Sequence, residues 1–336
     1  MKVLLNCHTP FNLAHGGVQT QIEQTKHHLQ KIGVEVDYLR WWDDSQTGEI
    51  LHHFGRIPIH LLALAKTKGL KVVMSELLTA QGSRPGWRIG LQQIGQRTLQ
   101  MVTPDFILNN FNWEAYQLAD ACVVLTPWEA DLLVRLYGAP RNRIHVVPNG
   151  VELEFLESRP ATRGPWLVCT ATITERKRVL ELAEAAVTAR TPLWVLGKPY
   201  SPDAPYARRF ADLARAHSDI LRYEGPINDR TQLAIIYREA RGFVLLSAME
   251  SLSLSAMEAA ACECPLLLSD LPWARTVFGK DSLYCPVTSS TKRTAKALRQ
   301  YYDAAPAIKP ARKPLAWIDV VPLLKEIYEQ VLSTSR

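Results

Sequence analysis

The sequence lacks the features that place a protein in or across a membrane. No apolar run approaches the roughly 20 residues that a membrane-spanning helix needs. Polar residues follow the first apolar segment, Lys2–Asn6, at once, which is not typical of a signal peptide. The six cysteines lie mostly in or beside apolar runs, which indicates buried thiols in a reducing compartment. We therefore predict a cytoplasmic protein that attaches to a membrane surface at most peripherally.

Short motifs of several enzyme classes are also absent. The sequence has no Walker phosphate-binding motif, no H-E-x-x-H, no G-x-S-x-G and no Asp-x-Asp for metal-dependent sugar transfer. Cys262 and Cys264 have no second ligand pair at zinc-finger spacing. The net charge of +6 is modest and is not gathered into a basic tail or stripe. These absences predict no metal, no other cofactor and no nucleic-acid partner.

The order of apolar runs predicts an α/β fold with parallel sheets. Strand-like runs alternate with helical segments over nearly all of the 336 residues, a length that suits two domains. In the first half, strands are predicted near 2–6, 34–39, 49–54, 70–74, 105–108, 121–125 and 144–147, and helices at 17–32, 57–68, 86–99, 113–118 and 127–137. In the second half, strands are predicted at 166–171, 193–197, 220–223, 242–246, 265–269 and 282–285, and helices at 177–189, 203–216, 229–239, 254–262, 290–302 and 315–332.

The segment Ser247–Cys262 is the most informative part of the chain. Glu250 follows an apolar run that is typical of a buried parallel strand, and Glu258 lies about one turn into a helix that begins near Ser253. In an open α/β sheet, ligands bind at the carboxyl ends of the strands. Helix amides there favour an anion, and carboxylates accept hydrogen bonds from hydroxyls. The pair therefore suits a nucleotide sugar, although Glu258 alone is also favourable to its helix dipole.

Two further segments have both a binding and a structural interpretation. Glu175–Arg178 places three cations at a helix start, which a bound anion would favour and which a solvated basic turn also explains. Gly16 and Gly17 follow His15 between the first strand and the first helix. Glycines there let the backbone approach a ligand, but a tight turn requires them as well. They do not form the G-x-G-x-x-G of a dinucleotide site.

Two more groups of residues are candidates for surface or substrate contact. His52 and His53 are expected to close a strand at the carboxyl edge of the sheet, where a substrate could contact them. The helix at 86–99 is amphipathic and basic. Its relevant residues are Arg84, Trp87, Arg88, Leu91, Ile94, Arg97 and Leu99. For this helix, packing against the core is the favoured interpretation and contact with a membrane surface is the alternative.

Together these segments resemble glycosyltransferase family 4, a large retaining group with the GT-B architecture. Glu250 and Glu258 match the E-x7-E motif of the family, and Val147–Val151 matches its interdomain turn. Gly16 and Gly17 match its first loop, and Lys177 matches its phosphate-binding lysine. Trp317–Leu332 is similar to the last helix of the family, which crosses back onto the first domain.

The resemblance implies two Rossmann-like, doubly wound domains that face each other across a cleft. Residues 1–155 would form an acceptor-binding domain and 156–314 a donor domain, and 315–336 would pack back on the first. The implied reaction moves a sugar from a nucleotide-diphosphate sugar to an acceptor hydroxyl with retention, in glycan, polysaccharide or glycolipid synthesis. The acceptor would be a carbohydrate or lipid-linked, and no metal would be needed.

The resemblance also implies roles for individual residues. Glu250 would bind hydroxyls of the transferred sugar and Lys177 would neutralise the diphosphate, which makes these two the catalytic candidates. Glu258 would hold the ribose hydroxyls. The other donor-side candidates are Arg176, Arg178, Ser253, Leu254, Ile227, Gly16 and Gly17, and the acceptor-side candidates are His15 and His53.

Some positions depart from the family pattern. Thr172 stands where the family has an arginine, Ser251 and Ser253 stand where it has glycines, and the Ser75–Glu76 region replaces a family histidine. These departures keep a second hypothesis open, a non-catalytic nucleotide-sugar binder or assembly partner. A nucleotide-sugar epimerase or a phosphorylase of similar architecture is a third, and the E-x7-E context argues against the epimerase.

Overall fold

The computed structural model describes residues 1–8, 10–11, 16–102 and 111–334. The chain forms two compact units. The first is Met1–Gly150 with Trp317–Arg336, and the second is Val151–Ala316. Each unit contains one six-stranded parallel sheet, and helices connect most of the successive strands, as predicted. The strand predicted at 105–108 lies outside the described residues.

The sheet of the first unit has the strand order β2-β1-β3-β4-β5-β6, with every neighbouring pair parallel. Its strands are β1 (Lys2–Cys7), β2 (Glu35–Tyr38), β3 (Ile50–Phe54), β4 (Lys71–Ser75), β5 (Ala121–Val124) and β6 (Ile144–Val146). All residues of β3 and β5 are buried, as expected of strands that are covered on both faces. The direction of winding reverses between β1 and β3, so ligands are expected at the carboxyl ends of these two strands.

Helices connect the strands of this sheet, except for β2 and β3, which are joined by a loop. The helices are α1 (Gly17–Lys31), α2 (Ile59–Thr67), α3 (Thr79–Gly82), α4 (Gly86–Val102), α5 (Ala115–Leu118) and α6 (Pro127–Tyr137). Helix α6 shows how local sequence sets such bounds. The hydroxyl of Thr126 accepts a hydrogen bond from the Glu129 amide at 3.2 Å, and Pro127 occupies the first helical position. The helix ends at Gly138, whose φ of 64° is a left-handed conformation that glycine adopts without strain.

The second unit repeats this architecture. Its strand order is β12-β11-β10-β7-β8-β9, again parallel throughout. The strands are β7 (Leu167–Thr170), β8 (Leu193–Leu196), β9 (Leu221–Tyr223), β10 (Gly242–Leu245), β11 (Leu266–Ser269) and β12 (Leu283–Cys285). The winding reverses between β7 and β10, and this is where a doubly wound sheet opens a crevice for a ligand.

The helices of the second unit follow the prediction with two additions. They are α7 (Leu153–Leu156), α8 (Val179–Ala189), α9 (Pro205–Ala216), α10 (Arg230–Glu239), α11 (Leu254–Ala261), α12 (Pro272–Phe278) and α13 (Thr291–Ala304). Helices α7 and α12 are short and were not predicted. A 3-10 turn, Glu175–Lys177, precedes α8, so this helix begins two residues after the predicted start at 177.

The C-terminal helix, α14 (Trp317–Ser333), completes the core of the first unit. It contacts α1 and belongs to the same hydrophobic cluster as β1 and β3. Its buried residues are Trp317, Val320, Val321, Leu324, Ile327, Tyr328 and Val331, which keep helical spacing. The Tyr328 hydroxyl lies 2.6 Å from Nδ1 of His52, so a buried hydrogen bond joins α14 to β3. The predicted return of the last helix to the first domain is confirmed.

One prediction about helix packing is wrong. Trp87, Leu91 and Ile94 of α4 were expected to pack against the core, but their side chains are 64%, 61% and 65% exposed. Ile89, on another face, is buried, and it is the only such residue among the α4 side chains that the structure describes. Hydrophobic periodicity shows that a helix has an apolar face but does not show which way that face turns. No helix in the described part of the chain is both long and apolar enough to span a bilayer.

We expect Leu324→Ala to lower the free energy of unfolding of the first unit by about 2–5 kcal/mol, because the substitution leaves a cavity under α14. Leu324 is 5% exposed, whereas its neighbour Leu323 on the same helix is 38% exposed. Leu323→Ala is therefore the matched control. Urea denaturation of both variants measures the difference. Equal unfolding midpoints would mean that α14 adds little to this core.

Candidate functional site

The loop after β10 carries the first of the two predicted carboxylates. Glu250 is buried in this loop, five residues beyond Leu245, where the strand ends. Helix α11 begins at Leu254, and Ser253 caps it by accepting a hydrogen bond from the Ala256 amide at 3.4 Å. Glu258 is buried in the second turn of α11. The strand, loop and helix predicted for the E-x7-E segment are therefore present.

Lys177 and Arg176 bind Glu250 from the neighbouring loop, which follows β7. The Lys177 ammonium forms an ion pair with Oε1 of Glu250. Arg176 lies 3.3 Å from Oε2 of the same carboxylate and donates a hydrogen bond to the Met249 carbonyl at 2.8 Å. The backbone amide of Ala248 donates to the Arg176 carbonyl at 2.8 Å. Side-chain and main-chain contacts thus join the two loops at the point where the winding of the sheet reverses.

The two cations decide the ionisation of Glu250. Burial raises the pKa of this carboxyl, but the charges of Lys177 and Arg176, with the Lys177 hydrogen bond, outweigh burial and hold the pKa below its usual value. Glu250 is therefore a carboxylate at neutral pH. An ionised carboxylate accepts hydrogen bonds and does not donate one, which suits it to bind hydroxyls.

Glu258 is held by a different set of partners. Arg230 forms an ion pair with Oε1 of Glu258, and the Tyr237 hydroxyl lies 3.3 Å from Oε2. The Arg230 guanidinium also lies 2.9 Å from Glu152 and 4.7 Å from the ring centre of Phe155. Burial raises the pKa of Glu258, and the charge of Glu152 adds to this rise, while Arg230 opposes it. One arginine therefore bridges two acidic side chains over an aromatic ring.

Sequence reasoning missed Arg230 and Glu152. The available signal was a cation at the first position of α10, where it is unfavourable to the helix dipole. The same signal drew attention to the cations at 176–178. Arg230 is 28 residues before Glu258, and no local pattern links the two. Only the packing of α10 against α11 brings them together.

The other donor-side candidates are in varied surroundings. Arg178 adopts a left-handed conformation with φ 54°, and its guanidinium donates to the Thr288 carbonyl. Ser253 and Leu254 form the amino end of α11, and Ile227 is half-buried in the loop between β9 and α10. Gly16 has φ 140°, and Gly17 is the first residue of α1. His15 lies outside the described residues.

His53 is the last residue but one of β3, where the predicted strand at 49–54 places it. Its side chain is buried. Its Nδ1 is 3.1 Å from the Asn6 side-chain nitrogen, and its Nε2 is 3.2 Å from Nε2 of the exposed His8. Burial, and then the charge of His8, lower the pKa of His53 to about 4. The ring is therefore neutral at pH 7, and of the two imidazoles the one that reaches solvent belongs to His8.

Comparison with protein families gives two consecutive matches. Residues 100–155 match "Glycosyltransferase Family 4" and residues 164–304 match "Glycosyl transferases group 1". The two segments together make up more than half of the chain. The chain belongs to glycosyltransferase family 4. The predicted resemblance is confirmed.

Among curated proteins, two family 4 relatives are similar to this chain over part of its length. It is 32% identical over 170 residues to D-inositol 3-phosphate glycosyltransferase 2 of Catenulispora acidiphila, and the matched segment covers 44% of this chain and 40% of the relative. It is 34% identical over 181 residues to a D-inositol 3-phosphate glycosyltransferase of Xylanimonas cellulosilytica, and this match covers 47% of this chain and 42% of the relative. The chain thus spans less than half the length of these relatives.

Solved structures match over nearly the whole chain. Sucrose-phosphate synthase from Thermosynechococcus elongatus aligns with 99% of this chain and 100% of its own, with a TM-score of 0.69 and 16% identity. HepE from Anabaena, solved in complex with UDP, aligns with 99% of this chain and 100% of its own, with a TM-score of 0.62 and 13% identity. Similarity at this low identity establishes the fold, and the predicted GT-B class is confirmed.

We expect Arg230→Met to lower the free energy of unfolding of the second unit by about 1–3 kcal/mol, because it leaves two largely buried carboxylates without their shared cation. Arg275→Met removes an arginine whose ion pair with Asp270 is well exposed, so this control should change stability little. Urea denaturation measures both. An Arg230→Met midpoint equal to that of Arg275→Met would contradict a structural role for the bridge.

Proposed function

We propose that this protein is a retaining glycosyltransferase that moves a sugar from a nucleotide-diphosphate sugar to an acceptor hydroxyl. One observation carries the proposal. Glu250 and Lys177 form an ion pair at the winding reversal of the second sheet, next to the amino end of α11. Carboxylates, cations and helix amides at one sheet edge are the chemistry that a sugar diphosphate needs.

Each site residue has a proposed role. Glu250 binds hydroxyls of the transferred sugar, and Glu258 binds the ribose hydroxyls. Lys177 neutralises the diphosphate, with help from Arg176 and from the α11 amides near Ser253 and Leu254. Arg178, Gly16 and Gly17 remain donor-side candidates, and the backbone at Ile227 contacts the nucleobase. On the acceptor side, His15 and His53 remain the candidates.

The proposed reaction depends on electrostatic stabilisation. When the bond between sugar and phosphate breaks, positive charge grows on the sugar ring and negative charge grows on the leaving phosphate. Lys177 and the helix amides are already oriented to stabilise that negative charge. The departing phosphate oxygen accepts the proton of the attacking hydroxyl on the same face of the sugar, which gives retention. These protein cations neutralise the diphosphate, so the mechanism uses no metal.

The comparisons suggest what the substrates are. HepE was solved in complex with UDP, so UDP is the first nucleotide to test as a probe. The curated relatives are named for D-inositol 3-phosphate, which makes a phosphorylated polyol one acceptor class worth testing. We propose that the acceptor is a carbohydrate or is lipid-linked and that it contacts the acceptor domain, residues 1–155. The donor binds residues 156–314. Residues 315–336 pack on the acceptor domain and support it. Five buried cysteines with free thiols support a cytoplasmic location.

Thr172 supports the second candidate function, a nucleotide-sugar binder without transferase activity. The family has an arginine at this position, and here Arg176 is the nearest additional cation to Lys177 and Glu250. A thermal shift with a nucleotide sugar, but no transfer and no donor hydrolysis over a panel of UDP-, GDP- and ADP-sugars, would support this function over the first.

Lys177→Ala should reduce sugar transfer by about 100-fold or more, the usual loss when an oriented charge-stabilising group is removed. Its melting temperature should change much less, because Arg176 still neutralises Glu250. Initial-rate assays and thermal melts measure the two quantities. Lys280→Ala, which removes an exposed lysine, is the control. Proportionate losses of activity and stability would make Lys177 structural.

Glu258→Gln should weaken UDP binding by about 1–3 kcal/mol, because an amide is a poorer acceptor for the ribose hydroxyls than a carboxylate. The same substitution should leave the affinity for 2′,3′-dideoxy-UDP unchanged. Calorimetric titration of both nucleotides measures this difference, and Glu239→Gln, on the exposed face of α10, is the control. An equal loss with both nucleotides would remove the ribose assignment.

A further inference from the structure

Helix α4 presents a row of large apolar side chains to solvent. Trp87, Leu91 and Ile94 are spaced by four and three residues, so they lie on one face of the helix, and each is more than 60% exposed. Met101, which continues the same face, is more exposed still. From Trp87 to Met101 the row is about 21 Å long. Isolated apolar residues are common on protein surfaces, but several large ones on one helix face indicate a binding surface.

The opposite side of α4 is unusually polar. Gln92, Gln93 and Gln96 are partly buried, and only Ile89 on this side is a fully buried apolar residue. Oε1 of Gln96 is buried without a hydrogen-bond partner among the described residues. A surface helix of a globular protein normally turns its apolar face inward and its glutamines outward. In α4 this arrangement is reversed, which favours an apolar environment outside the protein.

The charged residues of α4 and of the chain segment around it are of one sign. No Asp or Glu occurs between Glu76 and Asp105, and this segment contains three arginines. Arg84 and Arg88 are exposed, and the Arg88 guanidinium lies 5.1 Å from the centre of the Trp87 ring. Tryptophan and arginine beside a row of aliphatic residues is the composition of helices that lie in the interface of a bilayer.

We propose that α4 binds an anionic membrane surface, with Trp87, Leu91 and Ile94 inserted among the lipid headgroups and acyl chains and with Arg84 and Arg88 against lipid phosphates. An exposed helix face is convex, and a bilayer accepts a convex ridge without a complementary groove. The positive charge of this segment matches anionic lipid and gives a peripheral attachment, not a spanning one. This proposal does not depend on the proposed enzymatic activity.

The full-length protein should float with vesicles of phosphatidylcholine and phosphatidylglycerol, and much less with phosphatidylcholine alone. Leu91→Gln together with Ile94→Gln should reduce vesicle partitioning by about tenfold or more, because two inserted side chains are lost. Leu153→Gln is the matched control, since Leu153 is also 61% exposed but lies in the second unit, and it should partition like the wild type. Circular dichroism melts confirm that the variants are folded.

Arg84→Gln with Arg88→Gln tests the electrostatic part of the proposal. This variant should lose most of the preference for anionic vesicles, because it lacks two of the positive charges. High salt should likewise weaken the binding of the wild type to anionic vesicles, because salt screens the same attraction. Wild-type protein that does not float with anionic vesicles, or that binds neutral vesicles equally well, would overturn the proposal. A dimer in analytical sedimentation that the Leu91→Gln, Ile94→Gln variant converts to a monomer would also overturn the proposal, because a second copy of the chain would then cover the row. Because no nucleotide sugar is used, neither result bears on the transferase proposal.

Discussion

A largely buried ion pair between Lys177 and Glu250 joins the two loops on which the candidate donor site depends. The buried Glu250 carboxylate requires a cation beside it, because an unpaired buried charge is strongly unfavourable. Their pairing fixes the loop after β7 against the loop after β10, and the main-chain bond from Ala248 to Arg176 reinforces it. The cations are therefore oriented before any anion binds, which is the condition under which fixed charges stabilise a transition state most effectively.

The two glutamates of the E-x7-E segment are eight residues apart and yet chemically unlike. Glu250 has two cations on it and a lowered pKa, whereas Glu258 shares one cation with Glu152 and has a raised pKa. Both side chains are similarly buried, so the difference comes from their neighbours. Both carboxylates can accept hydrogen bonds from hydroxyls. Of the two, Glu250 is the one with a surplus of positive charge beside it, which would compensate a phosphate, because Arg230 is shared between Glu258 and Glu152.

Much of this arrangement could be predicted from the sequence because its determinants are local. A buried strand, a capping serine and a helix start fix where Glu250 and Glu258 lie, and all three are visible within or just before Ser247–Cys262. Arg230 could not be predicted in the same way. Its contact with Glu258 depends on how α10 packs on α11 and on where α7 places Glu152, and neither depends on residues close in sequence. The place of His53 at the end of β3 was predicted, but the burial of its side chain was not, because it depends on the packing of β3 against Asn6 and His8.

Helix α4 shows a different limit of sequence patterns. Its periodicity correctly predicts an amphipathic helix, and the usual rule then turns Trp87, Leu91 and Ile94 inward. That rule assumes that water is the only environment outside the protein. With partly buried glutamines facing the fold and no acidic residue from 77 to 104, the composition of α4 fits this orientation when its outer face meets an apolar, negatively charged surface. The reversed polarity of the helix is therefore itself evidence about what lies outside the protein.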